Sequence, residues 1–356
     1  MTPALCRIPG EVFGFLKSVY ARAAGLARAM LDFIPGGVYS CPCGRDAAEE
    51  KVFPLGCNVK RKQSAVGPAL IILAGVFWGS MGLFVRRLES YGFTSVQIVA
   101  LRLTLAVVMF GAVLLLRGKG EFRIALKDLP LFLALGLESV LFFTGCYFTA
   151  ISMMALSTAA ILLYTSPIWI MIMSVLFFRE KLTARKLLAL ALAFGGCVLV
   201  SGVSGDGITA KGLVIGLGAG IGYALYSIFG TVALRRYSPY TVTFYAFLFA
   251  AAGSWFFCHP ADALAKYMAA PSQVGLFLFF CLSALVTAVI PYLSYTLGLQ
   301  SVEASRAGIL ATVEPMVATL FGILVFSEPL TLSSGLGIVL ILGAVILLNL
   351  PNAAAE

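Results

Sequence analysis

Charged residues are scarce in this sequence, and their scarcity excludes a water-soluble globular protein. Only 12% of the 356 residues are charged and 60% are hydrophobic, whereas a soluble domain carries about 25% charged residues. The apolar runs approach the roughly 20 residues that a bilayer-spanning helix needs. They also lack the alternation of polar and apolar residues that is typical of a membrane β-barrel strand. The composition therefore predicts an all-α polytopic membrane protein, with the lipid bilayer as its surroundings.

Histidine is scarce as well, and the usual nucleotide-binding loop motif is missing. The one histidine, His259, falls in a predicted external loop, and the sequence has no GxxxxGK[ST] motif. Histidine-based metal or triad chemistry and an ATP-driven pump are therefore disfavoured. We expect no cofactor, no resident metal and no catalysis, with a membrane-embedded enzyme kept as an alternative. The net charge of +9 lies mainly in short loops, where it sets orientation, so nucleic acid is not expected as a partner.

Residues 1–66 contain no unbroken apolar run, although they hold nine of the 25 basic residues. We interpret them as a cytoplasmic N-terminal extension. Its apolar side chains recur at roughly helical spacing, which favours an amphipathic helix on the membrane surface; an extension without fixed structure is the alternative. These side chains are Phe15, Val19, Leu26, Met30 and Phe33. The tail cysteines, Cys6, Cys41, Cys43 and Cys57, do not have a standard zinc-ligand spacing.

The remainder of the chain is predicted to form ten transmembrane helices in two related halves. The helices are expected at 67–88, 95–116, 129–150, 155–177, 186–203, 212–234, 240–258, 273–299, 304–326 and 333–350. Tyr147–Val200 aligns without gaps with Tyr295–Leu348, and fifteen of these 54 positions are identical. The strongest match joins "TSPIW…REKLT" to "VEPMV…SEPLT", whose glutamates, Glu180 and Glu328, we expect to serve the fold by capping helix ends or pairing with surface donors. The sequence thus predicts five-helix repeats at 67–203 and 212–350.

Five crossings per half require the two repeats to be inverted relative to each other. With both termini in the cytoplasm, the inner loops beyond the tail hold eleven basic residues and the outer loops hold four, as the positive-inside rule expects. The outer four are Arg86, Arg87, Lys211 and Lys266. We therefore expect a multi-pass protein of a bacterial-type plasma membrane, with a site at the bilayer midplane that opens to either side in turn.

Several segments resemble the EamA branch of the drug/metabolite transporter superfamily. They are "VFWGSMGLFVRRL" from Val76, "VALRLTLA" around Arg102, the two proline-to-glutamate motifs, and "GYALYSIFG" from Gly222. The resemblance covers about residues 67–350. It implies ten helices in two inverted repeats, and export or exchange of small metabolites such as amino acids or drug-like compounds. Tyr223 departs from the family pattern, which often has tryptophan there.

Three ionisable residues lie inside predicted helices, where each costs about 2.5–3.5 kcal/mol on insertion scales. Glu314 is expected to carry a proton or coordinate substrate, or else to satisfy the backbone that Pro315 breaks. Glu138 is expected to face the interior in a similar role. Arg102 is expected to bind an anionic group of the substrate or pair with Glu138; snorkelling towards the surface is the alternative.

Aromatic residues near the centres of predicted helices complete the candidate site, because mid-membrane tyrosines need hydrogen-bond partners. These aromatic residues are Trp78, Tyr164, Tyr223 and Tyr226. Tyr295, expected to line an exit, and Ser166 are further candidates, and Pro167 and Pro315 are expected to bend their helices. The prediction is a secondary active transporter, expected to be an exporter, that moves a small organic solute with protons or a counter-solute as partners. A passive channel or membrane scaffold is the alternative, and the oligomeric state stays open.

Overall fold

The computed structural model describes residues 66–154, 156–202 and 209–350, and all regular elements in these ranges are helical. The predicted N-terminal extension, its amphipathic helix and its four cysteines lie outside the described residues. The first half contains α1 Val66–Gly79, α2 Met81–Glu89, α3 Ser95–Arg117, α4 Leu129–Leu133, a π-helix Ala134–Leu141, α5 Phe142–Met153, α6 Leu156–Leu163, α7 Ser166–Phe178 and α8 Ala184–Ser201.

The second half repeats this order. It contains α9 Ala210–Ala233, α10 Pro239–Ser254, α11 Pro260–Met268, α12 Gln273–Ala284, a π-helix Leu285–Val289, α13 Ile290–Gly298, α14 Ala304–Leu310, α15 Val313–Phe326 and α16 Leu332–Asn349. Helix α11 is a short addition that occupies part of a predicted external loop.

Nine stretches of the described chain, 18 to 26 residues long, are long and apolar enough to cross a bilayer. They account for nine of the ten predicted spans. The remaining one, predicted at 240–258, corresponds to α10, which has 16 residues and ends at Ser254. Helix α10 nevertheless packs within the bundle, because Tyr240 and Phe247 on it are fully buried. Length alone therefore does not establish ten crossings.

The repeated "LT" motif builds the same turn twice. Helices α7 and α15 both end at a residue in the left-handed conformation, Arg179 with φ 54° and Ser327 with φ 55°. A few residues later, Thr183 and Thr331 accept the backbone N–H groups that open α8 and α16, at 3.2 and 3.1 Å. The sequence identity between the halves thus reflects a shared stop-and-restart of the backbone.

Close helix crossings recur at matched places in the two halves. A Cβ atom on Gly67 of α1 would lie 2.0 Å from Ser301 Oγ, just beyond α13, and one on Gly212 of α9 would lie 2.8 Å from Met154 Cε, just beyond α5. Farther along the same helices, Gly75 lies against Ala311 and Gly220 against Leu163. The contacted residues, Leu163 and Ala311, are 148 positions apart, which is the spacing of the sequence repeat; the two glycines themselves are 145 positions apart.

Helices α8 and α16, the last of each half, cross through glycines and run in opposite directions. Gly196 lies against Gly337 and Ile341, while Val200, one turn later in α8, lies against Gly337. Contacts that move backwards along one helix as they advance along the other indicate antiparallel packing. The starts of α8 and α16 therefore lie at opposite ends of the bundle.

Candidate functional site

The two spans that contain Pro167 and Pro315 are interrupted in the middle. Helix α6 ends at Leu163 and α7 begins at Ser166; α14 ends at Leu310 and α15 begins at Val313. Each break follows from a proline in the first turn of the second half-helix, because proline cannot donate the backbone hydrogen bond that would continue the helix. Half-helix N-termini inside a membrane present unpaired N–H groups and a positive dipole end, which suits a site for polar or anionic groups.

Threonine hydroxyls satisfy the ends of the broken segments. Thr165 Oγ donates to the Leu162 carbonyl and Thr312 Oγ to the Ile309 carbonyl, both at 2.6 Å. The carbonyl of Ala311, which Pro315 cannot serve, accepts the N–H of Glu314 at 3.0 Å. The carbonyl oxygen that Pro315 leaves without its usual donor is therefore satisfied without the carboxyl group of Glu314.

Glu314 is half-buried near the start of α15, against the glycine face of α1. A Cβ atom on Gly79 would lie 2.7 Å from the Glu314 carbonyl oxygen, so only a glycine lets the two helices approach this closely. The Glu314 carboxyl group and the Tyr223 phenol lie close enough to interact electrostatically. The phenols of Tyr147 and Tyr164 also lie within the electrostatic reach of its charge. One acid thus lies among several aromatic hydroxyl groups.

Four of the five aromatic candidates, all except Tyr164, form one cluster around Trp78, which is 5% exposed. Its ring centroid lies 6.1 Å from that of Tyr223 and 5.4 Å from that of Tyr295. Tyr226 and Tyr295 are buried, and their hydroxyls bond to Thr296 at 2.9 Å and Ser227 at 2.7 Å. These two hydroxyls already have protein partners, so the two tyrosines contribute shape and rigidity to the cluster.

Tyr292 is a member of this cluster that the sequence analysis missed. Its ring centroid lies 5.0 Å from that of Trp78 and 5.1 Å from that of Tyr226. Its phenol lies within electrostatic reach of both Arg102 and Glu314. The available signal was its position three residues before Tyr295, which places both rings on one helix face.

Arg102 is buried on α3, 8% exposed. Its Nη1 donates to Thr287 Oγ at 3.3 Å and contacts the sulfur of Met81, while its Nε has no hydrogen-bond partner. Among the described residues no carboxylate forms an ion pair with it. A buried guanidinium of this kind keeps unused capacity for an anionic group.

Glu138 lies in the π-helix Ala134–Leu141, and its side chain is exposed. Among the described residues it forms no ion pair with Arg102, so the pairing considered from the sequence is absent here. A π-helix bonds each residue to the fifth before it, so a spacing of 3.6 residues per turn does not assign faces within it. The interior position of Glu138 stays a prediction.

Tyr164 and Ser166 lie at the first break. Tyr164 packs beside Cys197 and Val313, while Ser166 is buried at 3% exposure. Ser166 occupies the position that matches Glu314 in the repeat, immediately before the proline. In the part of the chain that the structure describes, no group of three histidine, cysteine, aspartate or glutamate side chains could hold a metal ion.

The family model for EamA-like transporters matches residues 65–202 and again residues 210–350. The chain belongs to the EamA-like transporter family. The two matches divide the chain where the sequence repeat divides it, so each half is one copy of the EamA-like unit. EamA-like proteins are transporters of the membrane, and the aromatic cluster with Glu314 and Arg102 lies between the two units.

Relatives of this EamA-like chain carry the same description. An "Uncharacterized transporter" of Archaeoglobus fulgidus (strain ATCC 49558 / DSM 4304 / JCM 9628 / NBRC 100126 / VC-16) is 30% identical over 284 residues, covering 79% of this chain and 95% of its own. The "Uncharacterized transporter YwfM" of Bacillus subtilis (strain 168) is 28% identical, covering 76% and 90%. One solved crystal structure shares the fold, with a TM-score of 0.66 at 18% identity, covering 81% of this chain and 97% of its own.

Proposed function

We propose that this EamA-like protein is a secondary active transporter that exports small organic metabolites by alternating access around the Glu314 cluster. The observation that carries the proposal is a half-buried carboxyl group beside two matched helix breaks, surrounded by aromatic rings. Ionisable residues within membrane spans are costly and mark substrate or proton pathways. Discontinuous helices meeting at the membrane centre are typical of secondary transporters.

The proposal includes ten crossings in two inverted halves, 67–203 and 212–350. The close crossing at Gly67 has a counterpart at Gly212, and the crossing at Gly75 has a counterpart at Gly220. Together with the antiparallel packing of α8 and α16, these crossings support a repeated and inverted arrangement. The polar contacts also support it. Asp128, before α4, pairs with Arg236, after α9, at 2.9 Å, as two cytoplasmic loops would.

The proposed solute has an apolar body with polar ends, as amino acids and many drug-like compounds do. Trp78, Tyr223 and Tyr292 supply flat apolar surface, which suits such a body. Arg102 has an unpartnered buried Nε and would bind an anionic group. Arg102 and Glu314 both act electrostatically on Tyr292. In the proposal the solute lies beside Tyr292 and bridges these two groups of opposite charge.

Glu314 is the proposed coupling residue. The alternative considered from the sequence, in which its carboxyl satisfies the backbone broken by Pro315, is disfavoured because Ala311 and Thr312 already complete that backbone. Its carboxyl group is therefore available to exchange a proton or to bind the solute. The membrane is a bacterial-type plasma membrane in this proposal, with both termini cytoplasmic, following the distribution of basic loops.

The test is solute flux into liposomes that contain the purified protein. A panel of amino acids and other small metabolites is offered under an imposed pH gradient, and uphill accumulation of at least one compound is expected. Glu314→Gln should lower pH-driven accumulation by about 5- to 150-fold, the usual range of coupling between two sites. Glu89→Gln, at an exposed acid that accepts from Ser95, serves as the control and should retain it.

Two results would overturn the proposal. The first is absence of gradient-driven flux for the whole panel with protein that is shown to be folded. The second is single-channel conductance without uphill accumulation, which would identify a passive channel instead. If Glu314→Gln retains full pH-driven transport, coupling belongs to another residue or to exchange with a counter-solute.

A further inference from the structure

The carboxylate of Glu180 joins the two halves at one end of the bundle. It lies just beyond α7 and accepts the backbone N–H of Ala304 at 3.1 Å and of Ser305 at 3.4 Å, and also the hydroxyl of Ser305. These N–H groups open α14, which belongs to the other half. The side chain of Glu180 is only 7% exposed. An acid from one half therefore caps a helix of the other.

Lys186 completes this contact. Its Nζ lies 3.5 Å from Glu180 and 2.6 Å from Glu303, and its side chain is 10% exposed. A buried carboxylate is costly unless it is paired and hydrogen-bonded, and here both conditions are met. We call Glu180, Lys186, Ala304 and Ser305 the Glu180 latch.

The sequence contains the parts of a second latch, at the matched positions 148 residues away. Glu180 corresponds to Glu328, and Ser305 corresponds to Ser157 at the start of α6; both residue types are identical in the repeat. Glu328, however, pairs with Arg86 of α2 at 3.1 Å and is 49% exposed. The guanidinium of Arg86 also lies 4.2 Å from the centroid of the Phe326 ring. Glu328 is thus held at the protein surface by Arg86, at the opposite end of the bundle from Glu180.

Helix packing shows the same asymmetry. At the Glu180 end α7 lies along α14, and a Cβ atom on Gly308 would be 3.5 Å from that of Ile170, with both residues buried. The matched pair at the other end is Ala160 of α6 and Ala318 of α15. Ala318 is exposed and Ala160 is half-buried, and within the described residues α6 and α15 do not pack as α7 and α14 do. The matched helices are therefore in close contact at the Glu180 end and farther apart at the other end.

We propose that Glu180 and Glu328 are alternating gate residues: the Glu180 latch shuts one end in this structure, and Glu328 forms the matching latch with Ser157 and the start of α6 when the other end shuts. This inference rests on the proposed transport function and assigns its gating to two residues away from the solute site. Closing the second end requires Glu328 to leave Arg86. Because Lys186 pairs with Glu180 in a more buried position than Arg86 with Glu328, the conformation shut at the Glu180 end is the resting one.

Two matched cysteine pairs report which end is shut. They are placed in the full chain, with its native cysteines replaced, in lipid nanodiscs. Ile170→Cys with Gly308→Cys spans the shut end, where the 3.5 Å separation suits a disulfide. Ala160→Cys with Ala318→Cys spans the parted end. The first pair should cross-link rapidly under mild oxidation, and the second slowly.

Substitution of the acids should move these rates in opposite directions. Glu180→Gln should lower the rate of the 170/308 pair relative to the 160/318 pair by about tenfold, as expected for losing hydrogen bonds to a charged group. Ser305→Ala should act in the same direction with a smaller change. Glu328→Gln should slow the 160/318 pair further, and Glu180→Gln with Glu328→Gln should return the ratio towards that of the parent. Glu89→Gln, at an exposed acid that accepts from Ser95 within the first half, is the control and should leave both rates unchanged.

The outcomes separate the latch from the transport proposal. The latch is wrong if Glu180→Gln and Ser305→Ala leave both cross-linking rates unchanged in folded protein, or if Glu328→Gln speeds the 160/318 pair. If the rates move as expected but no solute is transported in liposomes, the latch stands and the transport function falls. If transport occurs while the rates do not respond, the transport function stands and the latch falls.

Discussion

The residues that precede the two prolines, Ser166 and Glu314, occupy matched positions with different surroundings. Both follow a helix break closed by a threonine hydroxyl at 2.6 Å. Ser166 is buried at 3% exposure, whereas Glu314 is half-buried and lies near the Tyr223 phenol. The repeated backbone supplies the same geometry twice, and a single side chain makes one copy acidic. The chemistry of the proposed site therefore resides in what the two halves do not share.

The largest effect is expected from placing an acid in the first half. Ser166→Glu should lower the free energy of unfolding by about 3 kcal/mol, because a charged group has no partner at this packed position in the middle of the membrane span. Glu314→Ser should cause no comparable loss. Both are measured by denaturant titration in mixed micelles. Equal losses at the two positions would mean that their surroundings do not differ as the structure indicates.

The matched glycine crossings should respond alike in the two halves. Gly75→Ala and Gly220→Ala should each cost about 1–3 kcal/mol of unfolding free energy, since the new methyl group would lie 3.2 Å from the Ala311 carbonyl oxygen and 2.6 Å from Thr165 Oγ. Gly82→Ala and Gly145→Ala are controls, because nothing lies within 4 Å of a Cβ atom there. A loss confined to one half would break the structural equivalence.

The smallest effect is expected at the helix caps. Thr183→Ala and Thr331→Ala should each cost about 1 kcal/mol of unfolding free energy. The loss should be larger for Thr331, whose hydroxyl also bonds to Ser334 Oγ at 2.9 Å within a reciprocal capping box. Thr319→Ala is the control, since that hydroxyl bonds to a carbonyl within a helix. A larger loss at Thr183 would contradict this ranking.

Much of the fold was predictable because apolar runs and helix stops are local signals. The predicted span 95–116 matches α3 at Ser95–Arg117, and 333–350 matches α16 at Leu332–Asn349. The short α10 shows the limit of this reasoning, because a buried helix need not have the length of an isolated span. Family membership was also predictable, since the two proline-to-glutamate motifs recur at one spacing.

The candidate site was predictable only in part. Mid-span aromatics such as Trp78 and Tyr223 came together, but Glu138 lies exposed in a π-helix and does not pair with Arg102. Tyr292 was missed, since nothing in its own segment indicates that α3 and α15 bring Arg102 and Glu314 near it. Such convergence depends on residues far apart in the chain.

The sequence by itself determined that this chain is helical, membrane-spanning, internally repeated and EamA-like, because hydropathy, helix breaks and repeated motifs are properties of short segments. Only the tertiary structure decided which polar groups meet, that Glu180 caps a helix of the other half while Glu328 pairs with Arg86, and that α7 packs along α14. The physical reason is that the two halves carry the same motif residues at matched positions. Which of these residues meet depends on long-range packing and charge pairing that no local segment encodes.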